Sequence, residues 1–122
     1  MKLSYPSNYD VLVVDDSSTD RTGPIADKIA RRSRYPIVHV LHRKNECNGK
    51  PSALNEALKS AQGGALGFFD ANCKPDRDII ERLLRGFVGS KVAAVQGYID
   101  VENHNCSWIT KIARLVRLEG TA

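Results

Sequence analysis

Residues 9–20 read YDVLVVDDSSTD, and this stretch sets the frame for the rest of the chain. Tyr9 to Asp15 is a nearly continuous apolar run rich in β-branched residues, the pattern of a strand covered on both faces. It stops at the acid pair Asp15-Asp16, and Ser17 to Thr19 then supply hydroxyls of the kind that cap helices. Ile25, Ala26, Ile29 and Ala30 recur at helical spacing until Tyr35-Pro36 stops the helix. A buried strand, an acidic tip and an amphipathic helix are the first half of a parallel βαβ unit.

The alternation continues outward. Ile37 to Leu41 is a second strand. Pro51 is placed to open a helix with Ala53, Leu54, Ala57, Leu58 and Ala61 on its apolar face, and Gly63-Gly64 ends it. Ala65 to Asp70 is a third strand. Asp76 or Asp78 caps a helix striped by Ile79, Ile80, Leu83, Leu84 and Phe87. Val92 to Gln96 is a fourth strand, and Trp108, Ile109, Ile112, Leu115 and Val116 mark a last helix. Repeated units of this length predict an α/β fold with a mainly parallel sheet flanked by helices.

The chain has 122 residues, 42% hydrophobic and 26% charged, which is one domain's worth of ordinary globular sequence. No apolar run approaches the roughly 20 residues that cross a bilayer. The net charge of +4 suits a handler of phosphates, yet the basic residues are scattered, and neither a basic stripe nor a nucleic-acid motif is present. Cys47, Cys73 and Cys106 lie far apart with no C-x-x-C pair, so free thiols are expected rather than a metal site or a disulfide framework.

In open α/β sheets, ligands bind beyond the carboxyl ends of the strands. Three polar clusters fall there: Asp15 to Asp20, Arg43 to Lys50, and Asp70-Ala71-Asn72. Carboxylates accept hydrogen bonds from a base or ribose, and a hard divalent cation takes oxygen ligands that bridge to phosphate. Lys50, near a helix start, adds positive charge where phosphate is already favoured. Each residue alone has a plainer explanation: Asp16 and Asp20 as first-turn acids, Asn72 as a turn residue, Lys50 as a solvated lysine. Their joint spacing favours a nucleotide diphosphate site.

At this level the chain resembles the family 2 glycosyltransferases. VLVVDDSSTDRT is similar to the family's V-D-D-G-S-x-D-x-T, with Ser17 where glycine is usual. HRKNECNGKPSALNEAL resembles R-x-x-N-x-G-K-x-x-A-L-N, with extra residues in the loop. LGFFDANCKPDRDIIERLL resembles F-x-D-A-D-x-x-P-x-P-D-x-L-x-x-L. VAAVQGYIDVEN with SWIT is most similar to the processive, membrane-attached, cellulose- and hyaluronan-synthase-like branch.

The resemblance implies a Rossmann-like GT-A nucleotide-binding half, spanning residues 1–122 as one partial domain. Its reaction would be sugar transfer, with inversion, from a UDP-sugar to the hydroxyl of a carbohydrate or lipid-linked acceptor. It implies that Asp16 or Asp15 meets the uracil, that Lys50 lies against base or diphosphate, and that Asp70 and Asn72 hold ribose and a Mg²⁺ or Mn²⁺ ion. Gln96 would begin the stretch towards the acceptor side. Asn72 stands in place of the second acid of D-x-D and weakens that metal site.

The family's first strand, its T-E-D motif bearing the general base, and its Q-x-x-R-W motif are absent. No catalytic residue is therefore expected in this chain, the base being placed beyond Ala122. The domain is expected at the cytoplasmic face of the cell membrane, attached through segments it lacks. The first strand would lie between those ending at Asp15 and Asp70, so these two are expected either to pair directly or to admit a partner chain, by dimerisation or strand exchange. Two other readings compete. A receiver domain of two-component signalling would use Asp70 as phosphoacceptor, but no Ser or Thr ends the Val92 to Gln96 strand. A nucleotide-binding module without catalysis is the other.

Overall fold

Asp10–Asp16 forms strand β1 and Ile37–Arg43 forms β2; the two pair in parallel, with Asp10 opposite Ile37 and Asp16 opposite Arg43. The computed structural model describes residues 3–44 and 49–98. Helix α1, Thr22–Arg32, connects the strands; α2, Gly49–Leu58, follows β2; α3 is Ile79–Arg85. The fold is α/β and Rossmann-like, a small parallel sheet with flanking helices. The chain divides into two compact units, Met1–Ile80 and Glu81–Ala122. Every candidate residue named above except Gln96 belongs to the first.

The local causes are legible. Asp20, not Ser17 to Thr19, prepares the start of α1: its Oδ1 accepts the Thr22 N–H at 2.8 Å. Arg31 and Arg32 close the last turn, where cations favour the carbonyl end of the helix dipole. Pro51 sits in the first turn of α2, where its missing N–H leaves no helical bond unmade. The helix stops at Leu58, before Gly63-Gly64, because Lys59, Ser60 and Ala61 turn back onto the carbonyls of Glu56, Ala57 and Leu58. Ala53 and Ala57, one turn apart, are its buried face, and Ala26 is the buried apolar residue of α1.

Two expected strands are corrected. Among the described residues, Ala65 to Asp70 and Val92 to Gln96 form no strand, and β1 pairs only with β2. Direct pairing of the segments ending at Asp15 and Asp70 does not occur. An apolar run creates a tendency to extend, but a strand needs a neighbour's backbone to bond. Without one, Leu66, Phe68 and Phe69 stand exposed, Phe68 at 59%. The same gap leaves Val11 to Val14 half-buried rather than covered on both faces.

Cys73 is a free, half-buried thiol. Cys47, Cys106 and the expected last helix lie outside the described residues. No helix among the described residues is long and apolar enough to cross a membrane.

Candidate functional site

Parallel pairing brings the carboxyl ends of β1 and β2 to one edge, and the period-2 alternation of strands then separates adjacent side chains. The register sets Asp15 beside His42 and Asp16 beside Arg43, so two acid–base pairs end the sheet. They reach different helices. His42 bonds Asp27 of α1, whereas Arg43 bonds Ser52 and Glu56 of α2.

The second pair is the more buried at its basic end. The Arg43 side chain has no exposed surface, and its guanidinium donates to Asp16 Oδ1 at 2.5 Å, Glu56 Oε2 at 2.8 Å and Ser52 Oγ at 2.8 Å. A buried charge persists only when its donors are met, and these partners meet several of them. Asp16 is thereby fixed to α2 while keeping about a third of its side chain, 35%, open to solvent. Lys50, in the first turn of α2, pairs with Asp70, and both are exposed. Helix α2 therefore holds Asp70 directly through Lys50, and Asp16 indirectly through Arg43 of β2.

The loop between Asp16 and α1 is tightly held. Ser17 takes φ 64°, the left-handed region that favours glycine. Its N–H and hydroxyl both donate to the Arg43 carbonyl, at 3.1 and 3.2 Å, which offsets the strain. This accounts for Ser17 standing where glycine is usual.

Asp15 takes another path. It is 8% exposed; Oδ1 accepts the Ser18 N–H at 3.2 Å and Oδ2 meets His42 Nδ1 at 2.9 Å. His42 Nε2 meets Asp27 Oδ1 at 3.0 Å. The hydrogen bonds from Ser18 and His42 hold the Asp15 carboxyl below its ordinary range. Asp27 first, and Asp15 second, raise the His42 imidazole above its ordinary value. A hollow of about 370 Å³ opens here, lined by Asp15, Ser17, Thr19, Gly23, Asp27 and His42 among others. Asp16, Lys50, Asp70 and Asn72 do not line it.

The structure thus joins Lys50 to Asp70 and, through Arg43, Asp16 to the same helix, but it sends Asp15 to the other side. Asn72 lies exposed in the turn closed by the Cys73 N–H on the Asp70 carbonyl at 2.9 Å. Asp70 and Asn72 offer hard oxygen donors open to solvent. They fit a cation of the kind that keeps several waters and completes its shell with phosphate oxygens. Among the described residues no three His, Cys, Asp or Glu side chains gather as a ready-made metal cage. Gln96 is exposed and outside any strand.

Sequence reasoning left Arg43, His42, Asp27 and Glu56 without roles. Arg43 opened the second polar cluster, but nothing linear shows that it faces Asp16. That pairing exists only in the register.

Comparison with known proteins bears on the chain as a whole. The model of the family described as Glycosyl transferase family 2 matches residues 2–119. A beta-monoglucosyldiacylglycerol synthase of Synechocystis sp. is 35% identical over 111 residues, covering 89% of this chain and 23% of that protein. An N-acetylglucosaminyltransferase of Azorhizobium caulinodans is 29% identical over 104 residues, 84% of this chain and 25% of that protein. A dolichol-phosphate mannosyltransferase of Pyrococcus furiosus is 34% identical over 93 residues, 75% and 25% respectively. The chain spans about a quarter of the length of these curated relatives. No solved structure gives a significant match.

Proposed function

The chain belongs to glycosyl transferase family 2, and from that premise we propose that it forms the nucleotide-sugar-binding part of an inverting enzyme using a UDP-sugar. The observation that supports this reading is the double tether to α2: Asp16 through Arg43, and Asp70 through Lys50. Two acids from separate segments and a lysine in the first turn of a helix suit a ligand with a hydrogen-bonding base at one end and phosphates at the other.

In this reading Asp16 accepts from the uracil or ribose. Lys50 exchanges its Asp70 contact for the diphosphate. Asp70 and Asn72 hold a Mg²⁺ or Mn²⁺ ion, which supplies charge neutralisation for the leaving diphosphate. Asp15, drawn towards α1, supports the turn from beneath instead of touching the base. The acceptor is a carbohydrate or a lipid-linked hydroxyl. The similarity of QGYIDVEN and SWIT to the processive, membrane-attached branch favours work at the cytoplasmic face of the membrane. The base that deprotonates the acceptor is expected from the T-E-D motif, which this chain does not contain. A second strand-bearing chain, or a second copy of this one, would cover the apolar segment Leu66 to Phe69.

Titration calorimetry with UDP, with and without Mn²⁺, tests the proposal. Metal-dependent binding that Asp70→Asn abolishes is the expected result. Binding of beryllium fluoride at Asp70, with no response to UDP, would sink it in favour of the phosphoacceptor reading.

A further inference from the structure

His42 sits between two carboxylates, with both ring nitrogens engaged at 2.9 and 3.0 Å. A neutral imidazole has one N–H and one lone pair, so it can donate to only one of two carboxylates. Satisfying Asp15 and Asp27 together requires the imidazolium. The bonds then form one line: Ser18 N–H donates to Asp15 Oδ1, and the imidazolium donates through Nδ1 to Asp15 Oδ2 and through Nε2 to Asp27 Oδ1. This line ties the loop after β1, through β2, to the middle of α1. Asp16 stands inside the tied segment, between Asp15 and the strained Ser17.

We propose that His42 is a positioning residue of the nucleotide site, holding the Asp15–Ser18 turn on which Asp16 is mounted and releasing it when the imidazolium loses its proton. The proposal rests on the reading of Asp16 as a nucleotide contact. His42 touches no substrate in it and acts through Asp15 alone. The charged groups facing His42 are Asp15 from β1 and Asp27 from α1, while Arg43 and Lys44 line the same hollow from the end of β2. Arg43 is committed to Asp16 and Glu56, so the carboxylates dominate the surroundings of the ring.

Deprotonation leaves a lone pair facing a carboxylate oxygen, and one of the two contacts must open. If Asp15 is released, its Oδ1 no longer has a fixed place to receive the Ser18 N–H, and the turn after Asp16 is held only by the bonds from Ser17 to the Arg43 carbonyl. Asp16 then samples more orientations, and the nucleotide must restrict them on binding.

The test uses the 122-residue chain. UDP affinity in the presence of Mn²⁺ is measured by calorimetry between about pH 5 and pH 8, and nitrogen-15 NMR reads the protonation of the His42 ring and the Ser18 amide. The expected result is that both ring nitrogens carry protons at neutral pH. UDP affinity then falls by about fivefold or more as the ring deprotonates, with the Ser18 amide shifting in step. His42→Gln abolishes the step, Asp27→Asn moves it to lower pH, and His39→Gln leaves it in place. Because Asp27 lies on a helix surface, its variant serves if His42→Gln fails to fold. A ring with a single proton at neutral pH overturns the proposal, as does a step that survives His42→Gln. Failure to bind UDP at any pH overturns the nucleotide reading itself, and is distinguished from failure of the His42 role by that absence.

Discussion

Asp15 and Asp16 are consecutive in the chain and are claimed by different helices: Asp15 meets His42, which is anchored to Asp27 of α1, and Asp16 meets Arg43, which is anchored to Glu56 of α2. The acid pair that ends β1 is therefore two devices. One secures the loop, and the other is held towards α2 with about a third of its side chain, 35%, open to solvent. The separation follows from strand pleating together with a register that sets a basic residue opposite each acid.

Removing the guanidinium should show how much the α2 tether matters. Arg43→Leu leaves Asp16 and Glu56 without their shared cation, and Ser52 without a donor. Both acids are about a third exposed, so water compensates in part, and a loss of about 2–3 kcal/mol is expected, below the usual range for a fully buried pair. Urea unfolding of wild type and variant measures it. Arg43→Lys should not restore the loss, because one ammonium cannot reproduce the three-way fork.

Stability should follow pH in a definite direction. The folded-state value of His42 is raised above its ordinary 6.5, so its contribution is complete below about that pH and is lost as pH rises through the higher folded value. Asp15 is lowered from 3.8, so its contribution is complete above that pH and is lost as pH falls through the lower folded value. The network is fully formed between these limits. Thermal melts of wild type and His42→Gln should converge on the alkaline side and diverge in mildly acidic solution.

Gly23 is required where α1 passes the Asp15–His42 pair. A Cβ there would lie 2.9 Å from Asp15 Oδ2 and 3.3 Å from His42 Cε1. Asp15 cannot move without releasing Ser18 or His42. Gly23→Ala should therefore cost about 1–3 kcal/mol, as overpacking does, despite alanine's better helix propensity. Chemical denaturation checks the cost, and NMR titration should show His42 returning towards its ordinary value.

The metal proposal turns on Asn72. Asn72→Asp supplies a second carboxylate beside Asp70, and Mn²⁺ affinity should rise roughly tenfold, about 1.4 kcal/mol. Calorimetry or Mn²⁺ relaxation enhancement measures the change. An unaltered affinity would exclude residue 72 as a ligand.

The exposed apolar segment Leu66 to Phe69 makes a separate prediction. Replacing Leu66 and Phe68 with serine should reduce concentration-dependent self-association by about tenfold, because a contiguous exposed apolar patch promotes it. Sedimentation at several concentrations checks this.

The sequence by itself determined the order of elements through β2 and α2, the parallel βαβ class, the family, and the polar tips at which to look. These rest on short-range periodicity and on motifs contiguous in the chain, such as VLVVDDSSTDRT. It overreached at Ala65 to Asp70 and Val92 to Gln96, because an apolar run reports a preference to be buried and not the presence of a neighbour. Only the tertiary structure decided that Asp15 and Asp16 serve opposite helices, and that His42 and Arg43 are their partners. The physical reason is that a cross-strand register joins residues 27 positions apart, and no local pattern encodes which side chains it will set face to face.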